Sequence, residues 1–367
     1  MSYRFENMKD IIEKYQEDEI RYACDLMNLD YEDSFDKAAL VSLLETGQKN
    51  YVSEIFYMLS HEDLMLIQIM KENEGVFEFR DDTTLEEGPP RELESLSNLL
   101  DLCLIQPDID LDEEGMVRTH MSREFLDTFQ VYLEPERLSM AGYLDEAAKI
   151  IQGVLYYYGA VEIDVLYDMV SRNHGISRDM FNRVLGYKHA LTDSYAPIFL
   201  GDVEYIADLD FDLHYHIEDV KRWNKGQGYR EYSRNELLEA SEPSFVEKKE
   251  DYERILEYFK KYYRPDPQFV AMYPNIPEDF YYNFHVDKTI EMGRKSHDLG
   301  QVLSDFFQDM DFSEEEELKA GTKLMLDYLN GISKWENLGY AHDEMPKLKM
   351  ENTNVVHMKA YVGKRRK

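Results

Sequence analysis

The sequence predicts a mainly α-helical fold with a few short strands. Apolar residues recur at three- and four-residue steps over most of the chain, which is the period of a helix with one buried face. Where that period is interrupted, short apolar runs beside turn-forming residues indicate small hairpins. With 367 residues, the chain is long enough for two to four units with their own cores.

The clearest order of elements lies in residues 144–212. Apolar positions predict one helix over 144–158 and a second over 163–170. Ser177 predicts the N-cap of a third helix, and residues 198–206 predict a two-stranded hairpin. Three helices followed by a hairpin are typical of a winged helix, whose third helix can enter the major groove of DNA.

The third helix carries the candidate contacts with nucleic acid. Arg178 and Arg183 are predicted to face outward, with Lys188 just beyond the helix, and such cations contact phosphates or base edges. The alternative is an ordinary solvated helix face, because Asp179 and Asp193 dilute the positive charge.

The chain opens with a predicted polar helical lead-in over residues 1–20, and a helix–extension–helix pattern follows over 22–46. Ser34 is predicted to cap the second of these helices. The inward positions of that helix are predicted to be Ala38, Leu40, Val41, Leu43 and Leu44.

The stretch LMNLDYEDSFDKAALVSLLE resembles the small Rho N-terminal-like or SAP-like fold, with matches at Lys37, Leu40, Val41 and Leu44. The resemblance implies contact with nucleic acid, since modules of that family often bind it. This copy is acidic, because it also contains Asp30, Glu32, Asp33 and Asp36.

Residues 51–130 predict a further helix-rich unit that ends in a polar hairpin. Ser60 and Asp63 have the spacing of a capping box. This order fits a first winged helix, so the architecture would be duplicated within the chain. The alternating acids between Asp108 and Glu114 lack the closing Glu of a calcium loop, which favours a solvated hairpin tip.

Residues 223–345 predict a hinge followed by a helical bundle. Ser233 with Glu236 is a second capping box, and apolar stripes begin at Ile255, Leu299 and Leu324.

The segments EYSRNELLEAS and LMLDYLNGISKWENLGYAHDEM resemble parts of uncharacterised proteins of Gram-positive bacteria. Those chains place a Rho N-terminal-like start before winged-helix-like units, and many end in a Cys-rich SEC-C zinc motif. This chain has no Cys after Cys103, so the resemblance implies no zinc tail here.

One histidine pair has ligand-like spacing. In a strand leaving the hairpin, His214 and His216 would share one face and could hold a metal ion. No neighbouring Cys or His completes a ligand set, and no catalytic or phosphate-binding motif occurs in a supporting context. We therefore expect no cofactor and favour a polar exit strand over a metal site at this pair. Whether the protein is an enzyme stays open, with the sequence leaning against it; a metal-dependent enzyme around His214 and His216 is a third functional class.

The charge balance is strongly acidic, with 41 basic and 75 acidic residues and a net charge of −34. This surface repels a phosphate backbone at long range and suits a basic protein partner.

Cys24 and Cys103 lie in apolar stretches and are predicted to be buried and reduced. No leader or membrane-spanning run is present, which predicts a cytoplasmic protein without a membrane partner.

The last segment, residues 346–367, has the opposite charge, with seven cationic residues against one acid. It ends in Lys364, Arg365, Arg366 and Lys367. Two interpretations stay open: an electrostatic arm for nucleic acid or an acidic partner, and a solubilising tail.

These patterns divide the chain into five segments. They are a Rho N-terminal/SAP-like module (1–50), a winged-helix-like unit (51–140), a winged helix (141–222), a helical bundle (223–345) and a basic tail (346–367).

The leading functional hypothesis is a non-enzymatic modular binding protein, associated with nucleic acid or with a complex that handles it. The alternative is an acidic protein-interaction adaptor or a DNA-mimicking inhibitor of a basic partner. The oligomeric state stays open.

Overall fold

The computed structural model describes residues 4–80, 91–107, 110–111, 116–191, 194–265 and 276–345. The chain divides into two compact units: unit 1 comprises residues 1–152 and 164–196, and unit 2 comprises residues 153–163 and 197–367. The described part contains seventeen α-helices and six short strands, so the predicted mainly α fold class is confirmed. The five predicted segments remain a prediction, since division by compactness does not test them.

Unit 1 is built from ten helices and one small sheet in its described part. The helices are α1 (Met8–Ile12), α2 (Glu17–Leu26), α3 (Lys37–Asn50), α4 (Val52–Met58), α5 (His61–Glu72), α6 (Arg91–Asp101), α7 (Arg123–Phe129), α8 (Pro135–Tyr158), α9 (Ile163–His174) and α10 (Arg178–Tyr187). The strands are β1 (Val76–Arg80), β2 (Asp110–Leu111) and β3 (Met116–His120). Helix α8 continues into unit 2, and α9 begins there.

Unit 2 contains the second sheet and the remaining described helices. The strands are β4 (Ala160–Glu162), β5 (Tyr195–Leu200, which begins in unit 1) and β6 (Val203–Asp208). The helices are α11 (Phe211–His214), α12 (Ile217–Trp223), α13 (Arg234–Ala240), α14 (Tyr252–Tyr262), α15 (Glu278–Lys295), α16 (Leu299–Phe307) and α17 (Glu315–Asn330). None of the helices in the described ranges is both long and apolar enough to span a bilayer.

Helices α1 and α2 confirm that the predicted lead-in is helical, but several of their apolar side chains belong to the core of unit 1, so its description as polar is wrong. Ile11, Ile12 and Ile20 are buried because α1 and α2 both pack against α3. The few apolar residues of this stretch lie at positions that face inward. The mean hydropathy of the stretch does not show this, because most of its residues are polar.

The predicted second helix of the helix–extension–helix pattern is α3, with a different cap. Asp36, not Ser34, is the N-cap, and its carboxylate accepts a hydrogen bond from the Ala39 amide at 2.9 Å. The inward prediction is confirmed for Leu40, Val41 and Leu44 and is wrong for Ala38, which is exposed.

Both small sheets have the same strand order. They run β1-β3-β2 and β4-β6-β5, so in each the last strand pairs with the first and is the middle strand. Both of the pairings with a first strand are antiparallel. A helix precedes the first strand of each sheet. In the first sheet, α6 lies between β1 and β2, and in the second sheet α9 and α10 lie between β4 and β5. The two segments therefore share an order of elements.

The turn at the end of α8 requires glycine. Gly159 has a φ of +71°, and a β-carbon at this position would lie 2.5 Å from the Trp335 ring and 2.7 Å from the Phe211 ring. Trp335 is fully buried, and its indole nitrogen donates to the Tyr156 carbonyl at 2.9 Å. Trp335, which is far from both strands in the sequence, thus forms part of the core around β4 and β6.

The helical bundle of unit 2 consists of α14 to α17. Ile255 and Phe259 of α14, Val302 of α16 and Leu329 of α17 are buried in one cluster, as the apolar stripes predict. Helix α15 contributes Val286 to the same cluster.

We predict that Trp335→Ala lowers the free energy of unfolding of unit 2 by about 3–5 kcal/mol, because it leaves a large cavity in a close-packed core. Urea denaturation followed by circular dichroism measures the change. The matched control is Trp223→Ala, since Trp223 is 51% exposed; its effect should stay within about 0.5 kcal/mol. Equal effects of the two substitutions would contradict the assignment of Trp335 to the core.

Candidate functional site

Helix α10 is the predicted third helix, and its local sequence explains where it begins and which side it buries. The Ser177 hydroxyl is the N-cap and accepts from the Met180 amide at 3.4 Å. Phe181, Val184 and Leu185 are buried. The opposite side of α10 is exposed and carries the charged residues.

Arg178 lies at the start of α10 and is engaged within unit 1. Its guanidinium is 2.8 Å from the Asp164 carboxylate and lies 5.0 Å from the centre of the Tyr167 ring. Both members of the ion pair are partly exposed, so the pair contributes about 1 kcal/mol or less and can exchange partners.

Arg183 lies one helical turn further along and packs against α4. Its guanidinium is 4.9 Å from the centre of the Tyr57 ring, and its Nε is 3.4 Å from the Asp179 carboxylate. Tyr57 also stacks on Tyr187, with ring centres 5.9 Å apart. The outward side of α10 is therefore partly covered by α4.

Lys188 lies in a different environment from the one the sequence predicts. The residue is 8% exposed, so its assignment beside the outward residues is wrong. Its ammonium lies 2.5 Å from the Asp145 carboxylate and donates to the Leu59 carbonyl. A buried charge needs such partners, and here they leave the ammonium turned into unit 1.

A groove of about 920 Å³ runs beside α10. Its walls come from the end of α2, from α4, and from the outward side of α10 with the turn that follows. The charged side chains that line it are Asp25, Glu54, Asp179 and Arg183, which give a formal charge of −2.

Two of the groove's carboxylates are available for a cation. Asp25 accepts from the Tyr31 hydroxyl and Glu54 from the Ser53 hydroxyl. No cationic side chain in the described ranges lies within ion-pair distance of either carboxylate. The C-terminal ends of α2 and α10 also line the groove. Because the C-terminal end of a helix carries a partial negative charge, the end of α2 adds to the attraction for a cation, whereas α10 continues into a 3-10 helix over Lys188–Leu191.

The histidine pair does not lie in a strand, so that prediction is wrong. His214 is the last residue of α11 and His216 is the N-cap of α12. The strand pattern fails because β6 ends at Asp208 and the chain then turns into two short helices. Burial lowers the pKa of His214. Among the described residues, no group of three His, Cys, Asp or Glu side chains is placed to hold a metal ion.

Some predicted site residues lie outside the described ranges. They are Lys364, Arg365, Arg366 and Lys367 of the basic tail, and Asp108 and residues 112–114 of the acidic hairpin tip.

Unit 2 contains a buried group of ionisable side chains beside Trp335. The Lys334 ammonium is buried and donates to the Gly293 carbonyl, and burial lowers its pKa to about 8. Burial raises the pKa of the nearby Glu336. Arg294 is also buried; it lies 3.6 Å from the centre of the Tyr156 ring and donates to the Tyr156 carbonyl. Arg294 also lies 5.4 Å from the centre of the Trp335 ring, so this group borders the core around that residue.

Comparison with known proteins gives no relative: no family model, no curated protein and no solved structure matches this chain. The resemblances to the Rho N-terminal-like fold and to the Gram-positive proteins therefore remain predictions.

The groove itself was not predicted from the sequence. The wall formed by α10 lies more than a hundred residues after those formed by α2 and α4, and no local pattern connects them. One signal was present: Gly186 sits inside the predicted third helix, where glycine is unfavourable.

We predict that Lys334 makes the stability of unit 2 rise with pH between about 8 and 9.5. The folded pKa is below the ordinary value of 10.5, so the unfolded chain binds more protons in this window. The expected gain is on the order of 2 kcal/mol.

The measurement is urea denaturation of the wild type and of Lys334→Met at several pH values. Cys24 and Cys103, whose pKa values burial raises, act in the opposite direction in both proteins. The difference between the two proteins therefore isolates Lys334. The exposed Lys319→Met serves as the control. Parallel pH profiles for wild type and Lys334→Met would show that the prediction is wrong.

Proposed function

We propose that this chain is a non-enzymatic binding protein that recognises a basic segment of another protein. The observation that carries the proposal is that the cations beside α10 have partners within unit 1, whereas two carboxylates of the groove have no cationic partner among the described residues.

The net charge supports the same proposal. At −34, the chain attracts cationic surfaces over a long range and accelerates their association at low salt. A nucleic-acid interface needs free cations to replace the counterions of the phosphates. On α10 these would have to be Arg178 and Arg183, which would first exchange their partners Asp164 and Asp179.

A second candidate function is binding to nucleic acid through winged helices. The observation in its favour is the order of elements α8, β4, α9, α10, β5 and β6, with the strand order β4-β6-β5. This is the order in which a winged helix presents its third helix and its hairpin. The order in the segment from α5 to β3 is similar.

We predict that the 367-residue chain binds a fluorescein-labelled lysine-rich peptide at low salt and does not shift duplex or single-stranded DNA. Fluorescence anisotropy measures the first and a gel shift the second. Peptide binding should weaken as salt is raised, because exposed charges are screened. A double substitution of Arg178 and Arg183 by Glu should leave peptide binding intact or strengthen it.

The opposite pattern would favour the second candidate. DNA binding that falls steeply with salt and disappears in the Arg178→Glu/Arg183→Glu protein would reject the proposed basic partner.

A further inference from the structure

Gly186 lines the groove, and the fold of unit 1 does not require a glycine at this position. It lies one residue before the end of α10. A β-carbon built on it meets no atom within 4 Å, and its φ is not in the left-handed region. Glycine makes a helix less stable than alanine does. Since neither steric crowding nor a left-handed backbone requires glycine at position 186, its presence needs a different explanation.

Four other helical glycines of the described ranges have a steric reason. At Gly47, Gly153, Gly293 and Gly321, a β-carbon would come within 2.5 Å of a neighbouring atom. At Gly142 a β-carbon would make an ordinary contact at 3.8 Å. A β-carbon at Gly186, in contrast, opens onto empty space. A missing side chain at an exposed position lets another molecule approach the backbone closely.

The side chains around Gly186 combine an apolar lining with acidic ones. Met58 is buried and Met27 half-buried, and both line the groove. Methionine adapts its shape to different apolar ligands. The carboxylates of Asp25, Glu54 and Asp179 come from α2, α4 and α10 in turn. Because they are spread over three elements, they suit several cations on one chain better than a single small cation.

We infer that the groove takes a segment of a protein partner that seats one apolar side chain over Gly186, with lysine or arginine residues on either side of it. The apolar side chain contacts Met27 and Met58, and the flanking cations face the groove's carboxylates. The volume of about 920 Å³ is in the range of ligand sites, roughly 300–1,000 Å³. This inference rests on the proposed function and specifies the chemistry of the partner.

The test uses the 367-residue chain and two synthetic peptides of about ten residues each, long enough to fill a groove. One peptide is polylysine with a single central leucine, and the other has serine at that position, so both carry the same charge. Fluorescence anisotropy should show that the wild type binds the leucine peptide at least about tenfold more tightly.

Substitutions at two matched glycines locate the effect. Gly186→Leu fills the groove and should remove the preference for the leucine peptide. Gly228→Leu is the control, because a β-carbon at Gly228 in unit 2 also meets nothing within 4 Å; this variant should keep the preference.

A second variant separates binding from folding. Gly186→Ala should raise the unfolding midpoint of unit 1, because alanine favours a helix, and still weaken binding of the leucine peptide. Methyl NMR should show shifts at Met27 and Met58 on adding this peptide and none at Met65, which is exposed on α5 and does not line the groove.

The outcomes distinguish the two proposals. Binding of both peptides with equal affinity by the wild type and by every glycine variant would overturn the groove assignment and leave the proposed function standing. Failure of the wild type to bind either peptide would overturn both.

Discussion

The ion pair of Lys188 and Asp145 is the constraint on which the candidate site depends. The Lys188 ammonium is held by the Asp145 carboxylate and the Leu59 carbonyl, and the same carboxylate accepts from the His61 amide at 2.6 Å. One buried pair thus connects α8, the link between α4 and α5, and the turn after α10. Loss of one partner would leave an uncompensated charge, at about 3–5 kcal/mol. The end of α10 is therefore held beside α4, where the two helices form walls of the groove.

The negative charge of the groove follows from the excess of acidic over basic residues in this chain. Arg178, Arg183 and Lys188 all neutralise carboxylates of unit 1 or pack on its tyrosines. Carboxylates in excess of the cations must remain hydrated at the surface. Asp25 and Glu54 do so on the walls of a concave surface, where a partner's charge can reach more than one of them.

Patterns of neighbouring residues predict much of the secondary structure. They do not predict features that depend on contacts between residues far apart in the sequence. The caps at Ser60, Ser177 and Ser233 are confirmed, because a cap depends on a hydroxyl and an amide three residues apart. The burial of Lys188 depends on Asp145 and Leu59, which are 43 and 129 residues away. The groove and the core position of Trp335 are non-local in the same way.

The continuity of α8 has a consequence for how the chain can be divided. The helix runs unbroken from Pro135 to Tyr158, so the 140/141 boundary drawn from the sequence falls inside it. A gene fragment for residues 141–222 would encode the predicted winged helix but would leave out Tyr57 and Leu59, against which the end of α10 packs. It would also lack Trp335, which covers the turn after α8. Recombinant dissection of this protein should therefore leave α8 whole and keep both flanking parts of the chain with it.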